Sequence, residues 1–331
     1  MAREAGEAAA GARRQITTCF DRFAELADRL RARPPNMIVT CARGSSDHAA
    51  TYGKYLLETT VGRVVASMGP SIASTYGRVP ILDGALFLAI SQSGRSPDLL
   101  RLTKTARAAG ALVVAIVNDT TSPLAANAEI VLPLCAGVET SVAATKSFLL
   151  TGVAFLQLAA AWTDDPELRS AVAAAPDMLA AAAALDWIPG LSALASATSL
   201  FVIARGVGLG AAAEIALKLK ETCRLHAEAF SAAELHHGPI ALVGPGFPII
   251  ALGQNDATLP ATRDAITHVS ALGATVHSTL DGSLPEISGV PAVLAPLCHV
   301  QSFYLAVPQL AAARGHDADT PSHLRKVTET I

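Results

Sequence analysis

One pattern occurs twice in this chain, and it restricts the fold more than anything else in the sequence. Residues 36–58, NMIVTCARGSSDHAATYGKYLLE, are an apolar run, then Ala-Arg-Gly, then a segment of helical periodicity ending in Glu. Residues 199–221, SLFVIARGVGLGAAAEIALKLKE, repeat that order. The echo continues: ALFLAI (85–90) matches FPIIAL (247–252), and AGALVVAIVND (109–119) matches LGATVHSTLD (272–281). Continuous Val/Ile/Leu runs separated by helical segments predict strands buried on both faces, which means a parallel sheet covered by helices. The expected class is therefore α/β, with two doubly wound parallel sheets flanked by helices. The expected organisation is an N-terminal helix over 1–34, a first α/β domain over 35–165, and a second over 195–331 that carries the C-terminal tail.

The remaining elements follow from periodicity. Residues 8–32 predict an amphipathic helix, because Ile16, Phe20, Phe23, Leu26 and Leu30 recur at helical spacing. Helices are also expected at 45–58, 97–109, 259–272 and 298–314. Ser45 or Ser46 is available as the N-cap of the first of these. AEIVLPL (128–134) predicts a fourth strand, and the alanine-rich stretch 140–195 predicts helix.

Composition excludes several classes of function. Of the 331 residues 51% are hydrophobic, yet no unbroken apolar run reaches the roughly 18 residues of a membrane span. The N-terminus, MAREAGEAAAGARRQ, has no apolar core of a signal peptide, so a cytoplasmic address and no membrane partner are expected. The formal net charge is −3, with no basic stripe interleaved with aromatics, which argues against nucleic acid. Five scattered cysteines (Cys19, Cys41, Cys135, Cys223, Cys298) with no C-x-x-C argue against a disulfide framework and against a zinc site. Buried free thiols are expected.

Ligands of parallel sheets gather at the carboxyl ends of the strands. Two turns there stand out: ARGSSD (42–47) after the first strand and SQSGRS (91–96) after the second. Each sets small hydroxyls and backbone N–H groups at a helix N-terminus, which suits an anion such as a phosphate. Ser91, Ser93 and Ser96 would be side-chain donors, and Gly94 would allow close backbone approach. Such turns also simply cap helices. Neither a Walker A motif nor a Rossmann fingerprint is present, since GVGLGAA (206–212) has the wrong spacing.

The densest polar stretch is residues 214–239, EIALKLKETCRLHAEAFSAAELHHGP. Glu214, Lys218 and Glu221 share one helix face. A solvated face with ordinary ion pairs is the plain alternative. His236 and His237 precede a Gly-Pro turn. His237 is a candidate acid/base group, because imidazole titrates near neutrality. Lys326 lies in a C-terminal tail that would matter only if it docks.

Together these motifs resemble paired sugar isomerase (SIS) domains, and in particular the isomerase half of glucosamine-6-phosphate synthase. GSSDHA, SQSGRSPD, GVETSVAATKSF, ALKLKETCRLHAEAFSAAELHHGP and DADTPSHLRKVTETI occur in that family's order, covering about 35–331. Only about 35 residues precede the first unit and residue 2 is not cysteine, so no glutaminase is expected. The chain is then similar to the SIS-type glucosamine-6-phosphate deaminases, which make fructose 6-phosphate and ammonia. The resemblance implies that Gly44, Ser45, Ser46, Ser91, Gln92, Ser93 and Ser96 hold the sugar phosphate. It further implies that Glu221 moves a proton between C2 and C1, with Lys218 near the sugar oxygens. His237 would open the pyranose from a neighbouring subunit of a homodimer, Lys326 would polarise the C1 or C2 oxygen, and Val142 and Ala143 would give backbone contacts. No metal and no redox cofactor is implied. Two departures, Ala144 in place of a serine and Arg95 in place of an acidic residue, bear on the choice of sugar. A plain phosphosugar isomerase, ammonia-dependent synthesis, and a non-catalytic sugar-phosphate sensor are the competing readings.

Overall fold

The computed structural model describes residues 1–324 and Lys326. The chain divides into two compact units, one of residues 10–140 and 146–176 with Lys326, the other of residues 1–9, 141–145 and 177–324. Two helices come first, α1 (Ala2–Gly6) and α2 (Ala8–Ala32). The buried stripe of α2 is Ala12, Gln15, Cys19, Phe23, Leu26 and Leu30, while Phe20 is 68% exposed. The helix stands where periodicity predicts it, and Phe23, Leu26 and Leu30 are buried as expected; Ile16 is half-buried and Phe20 departs from the expected face.

The first unit continues with β1 (Ile38–Cys41), α3 (Ser45–Val61), β2 (Val65–Ser67) and α4 (Ser71–Ser74). Next come β3 (Leu86–Ser91), α5 (Pro97–Ala108), β4 (Leu112–Val117), α6 (Pro123–Asn127) and β5 (Ile130–Pro133). The strands form one parallel sheet in the order β2-β1-β3-β4-β5, with Val39 opposite Phe87 and Phe87 opposite Val113. Every residue of β1 and β3 is buried, as expected of strands covered on both faces. α7 (Lys146–Thr163) packs on α3 and is buried on nearly all sides, and α8 (Pro166–Ala183) follows it.

The second unit holds α9 (Ile188–Ser192), β6 (Ser199–Ala204), α10 (Leu209–Cys223) and β7 (His226–Ser231). β8 (Pro248–Ala251), α11 (Leu259–Ala271), β9 (Thr275–Ser278) and α12 (Ala295–Ala313) complete it. Its parallel sheet runs β7-β6-β8-β9, the same order as the first four strands of the other sheet. The sequence echo is thus a repeat of topology: β1 and α3 correspond to β6 and α10. In both sheets the strand order reverses beside the first strand of the unit, where this architecture binds ligands. Among the described residues no helix is long and apolar enough to cross a membrane.

Candidate active site

In the first unit, β1 and β3 are neighbours in register, with Cys41 opposite Ala89, so their following turns lie side by side. After β1 the chain turns at Gly44, whose φ of 54° lies in the left-handed region that favours glycine. Gly44 is the N-cap of α3, and its side-chain-free position leaves Ser45 and Ser46 as the first helical residues rather than the caps expected from sequence. The helix ladder begins with the Asp47 and His48 N–H groups, both donating to the Gly44 carbonyl at 2.9 and 3.1 Å. The N-terminus of α3, at the positive end of the helix dipole, favours an anion.

The second turn is shaped by Ser91, whose hydroxyl oxygen accepts from the Gly94 N–H at 3.0 Å. Its proton can still be donated. Gly94 has φ 65°, and a Cβ there would lie 2.2 Å from the Ser122 hydroxyl oxygen. Ser96 is the N-cap of α5 but makes no side-chain cap bond, with Pro97 at the first helical position. Gln92, Ser93 and Ser96 are half-buried along the same turn. Arg95, the reversed charge beside this turn, donates to Asp119 at 2.9 Å, so its charge is met by a carboxylate on the loop after β4. The Thr121 hydroxyl and N–H, together with Arg95, hold the Asp119 carboxyl below the usual range. Arg43 is likewise paired, at 2.9 Å, with the buried Asp98 at the start of α5.

In the second unit, α10 carries Glu214, Lys218 and Glu221 on one face, and that face is not solvated. Lys218 is 1% exposed; its ammonium lies 2.5 Å from Glu221 Oε2 and 3.3 Å from Glu214 Oε1. Glu214 is fully buried and also accepts from the Tyr304 hydroxyl of α12 at 2.6 Å. Burial by itself drives the Lys218 pKa down, but the two carboxylates outweigh it and the net shift is upward from 10.5. Lys218 is therefore an ammonium, and it fixes the carboxylate of Glu221. Glu221 is 19% exposed and lies in the wall of a cleft of about 360 Å³ shared with Arg224, Asp317 and Thr320. Arg224 closes α10 in the left-handed conformation and donates to the Ser322 hydroxyl.

His237 ends a short 3₁₀ turn, Glu234–His237, and is exposed. Gly238 follows with φ 138°, a backbone conformation that favours glycine. His236 instead faces His268, with ring centroids 5.1 Å apart. Val142 and Ala143 belong to the second unit, in the segment 141–145. That segment is anchored by the Ser141 N–H, which donates to Glu4 at 3.2 Å, and by the Ser141 hydroxyl, 3.3 Å from Asp319. Lys326 belongs to the first unit, where its ammonium lies 3.6 Å from the buried Glu139 carboxylate. Glu139 is itself fixed by the Ser147 hydroxyl and N–H, at 2.7 and 3.2 Å.

The structure thus gathers Gly44, Ser45, Ser46, Ser91, Gln92, Ser93 and Ser96 at the switch point of one sheet, and joins Lys218 to Glu221 in the other unit. It adds residues that the sequence did not single out. Glu139 lies within the GVETSVAATKSF motif and was visible there. Tyr304 had no signal beyond its place in an apolar helix.

The SIS domain model matches residues 33–161 and 193–282 of the chain. Glutamine–fructose-6-phosphate aminotransferase (isomerizing) from Legionella pneumophila (strain Lens) is 34% identical over 306 residues, which is 87% of this chain. The chain spans about half the length of the curated relatives it matches, 50% in that case. A solved structure from Silicibacter pomeroyi DSS-3, provisionally named a phosphosugar isomerase, superposes with a TM-score of 0.92 at 42% identity, covering 96% of this chain and 99% of that one. The C-terminal domain of glucosamine-fructose-6-phosphate aminotransferase from Francisella tularensis superposes with a TM-score of 0.84 at 25% identity, covering 96% and 97%.

Proposed function

The chain belongs to the SIS domain family, and we propose that it is an aldose–ketose isomerase/deaminase acting on an amino-sugar phosphate, converting glucosamine 6-phosphate to fructose 6-phosphate and ammonia. One observation carries the reading: Glu221 is a cleft-wall carboxylate locked 2.5 Å from a buried ammonium. A sensor needs a phosphate turn; it has no use for a carboxylate positioned in this way.

The chemistry follows in steps. The hydroxyls and N–H groups of Gly44–Ser46 and Ser91–Ser96 take the phosphate. His237 of the partner subunit opens the pyranose. Glu221 removes the C2 proton of the open-chain amino sugar and returns it to C1, which leaves an imine at C2. Water adds to that imine and ammonia departs. Lys326, held by Glu139, stabilises charge on the sugar oxygens. Lys218 acts through Glu221, by fixing its position and keeping an ammonium behind it.

The likeness to the Silicibacter pomeroyi protein supports a second reading, a phosphosugar isomerase that releases no ammonia. Ammonia release from glucosamine 6-phosphate, measured with the purified chain and with Glu221→Gln, separates the two. Release that disappears in the variant supports the deaminase. Ketose formation from a neutral aldose phosphate without ammonia supports the isomerase. If Glu221→Gln loses neither activity, Glu221 is not the base.

A further inference from the structure

Two of the five cysteines meet. Cys19 of α2 and Cys135, just beyond β5, are 116 residues apart in sequence, yet their sulfurs are 3.6 Å apart. Neither is in a disulfide. Cys19 is buried and Cys135 half-buried, so the latter does not fit the expectation of buried thiols. The surroundings are those of an activated thiol. The Thr18 hydroxyl lies 3.6 Å from both sulfurs. The Arg14 guanidinium grips the Cys135 carbonyl through two N–H groups, at 2.6 and 3.0 Å, and Arg22 reaches the Val131 carbonyl at 3.2 Å. Cys135 is held at φ 55°, a conformation that residues with a side chain seldom adopt.

We propose that Cys135 and Cys19 form a peroxide-reactive dithiol, with Cys135 the attacking thiol and Cys19 the resolving one. The Cys135 thiolate attacks one oxygen of a hydroperoxide, the O–O bond breaks, and hydroxide or alkoxide leaves, giving a sulfenic acid. The Cys19 thiol then attacks the Cys135 sulfur, loses its proton, and expels water. Two thiols and one hydrogen peroxide become one disulfide and two waters; the two electrons reduce the peroxide. A reducing thiol reverses the change.

The roles follow from exposure and charge. The Cys19 thiol hydrogen bond, then the Thr18 hydroxyl and the Arg14 and Arg22 charges, push Cys135 down to about 6, against the cost of its burial. Cys19 is pushed up, first by sharing that bond with Cys135 and then by burial. A fall from 9.0 to about 6 raises the thiolate fraction at pH 7 about 90-fold and lowers intrinsic nucleophilicity about 20-fold, a net gain of about fourfold. The larger advantage is the second thiol in contact, which captures the sulfenic acid before further oxidation.

The test uses the whole chain. Thiols are counted after unfolding, with and without prior hydrogen peroxide, and alkylated peptides are mapped by mass spectrometry. The five thiols should fall to three, with one peptide pair joined through Cys19 and Cys135 and released by dithiothreitol. In Cys19→Ser, dimedone should label Cys135. In Cys41→Ser the same two thiols should still be lost. Circular dichroism before treatment confirms that each variant is folded. Separate alkylation of Cys19 and Cys135 after peroxide, a dimedone adduct on Cys135 in the unsubstituted protein, or unchanged loss of two thiols in Cys135→Ser would each overturn the proposal.

Discussion

Replacing Lys218 by methionine probes the energetics of the α10 triad. Methionine matches the shape of the lysine stem but leaves two carboxylates facing each other. With an effective dielectric constant near 20, the ammonium attracts Glu221 by about 7 kcal/mol at 2.5 Å and Glu214 by about 5 kcal/mol at 3.3 Å. Most of that attraction only offsets desolvation of three charges, at several kcal/mol each. The triad as a whole is therefore worth little beyond an apolar replacement of the same shape. Removing only the cation is another matter. Glu214, fully buried, keeps the Tyr304 hydroxyl at 2.6 Å but loses the Lys218 ammonium. The expected cost is about 3–5 kcal/mol in urea-induced unfolding. Adding Glu214→Gln should return about 2 kcal/mol or more, because glutamine keeps an acceptor for Tyr304 without the charge. If Lys218→Met unfolds within about 1 kcal/mol of the unsubstituted protein, or if the double variant recovers nothing, then Glu214 does not carry a charge that Lys218 compensates.

Three further outcomes follow. Because the Lys218 pKa is raised in the folded protein, its stabilisation is complete below the ordinary 10.5 and is lost as pH climbs through the higher folded value; urea midpoints should show no loss from this group up to pH 10 and a decline only beyond it. Gly94→Ala should destabilise by about 2–4 kcal/mol and weaken phosphate affinity, because the new Cβ would fall 2.2 and 2.6 Å from the Ser122 hydroxyl oxygen and Cβ, so turning the serine side chain cannot clear it. Glu139→Gln should raise KM for the sugar phosphate more than it lowers kcat, since it loosens Lys326 and leaves Glu221 untouched; an unchanged KM would remove Glu139 from the tail's docking site.

The elements legible in the sequence are those whose environment is nearly uniform. β1, β3, β4, β6 and β8 are continuous apolar runs because helices cover both sides of their sheets. β2 and β7 escaped detection for a physical reason. Both are edge strands, β2 of three residues and β7 reading HAEAFS, and an edge strand with one solvated margin needs no apolar run. In α2 the apolar pattern missed a buried polar residue and misplaced one aromatic. Gln15 lies in the buried face because its amide donates to the Pro133 and Leu150 carbonyls, whereas Phe20 faces water.

Local order in the sequence therefore determined the duplication, the two hydroxyl-bearing turns, and the spacing that sets Glu214, Lys218 and Glu221 on one helix face, because all of these depend on neighbours a few residues apart. Tertiary structure alone decided that this face is buried, that Tyr304 shares it, that Glu139 receives Lys326, and that Cys19 meets Cys135. Those pairings join residues 90 to 187 positions apart, or 116 for the two thiols, and chain folding rather than local pattern sets which of them come within a few ångströms.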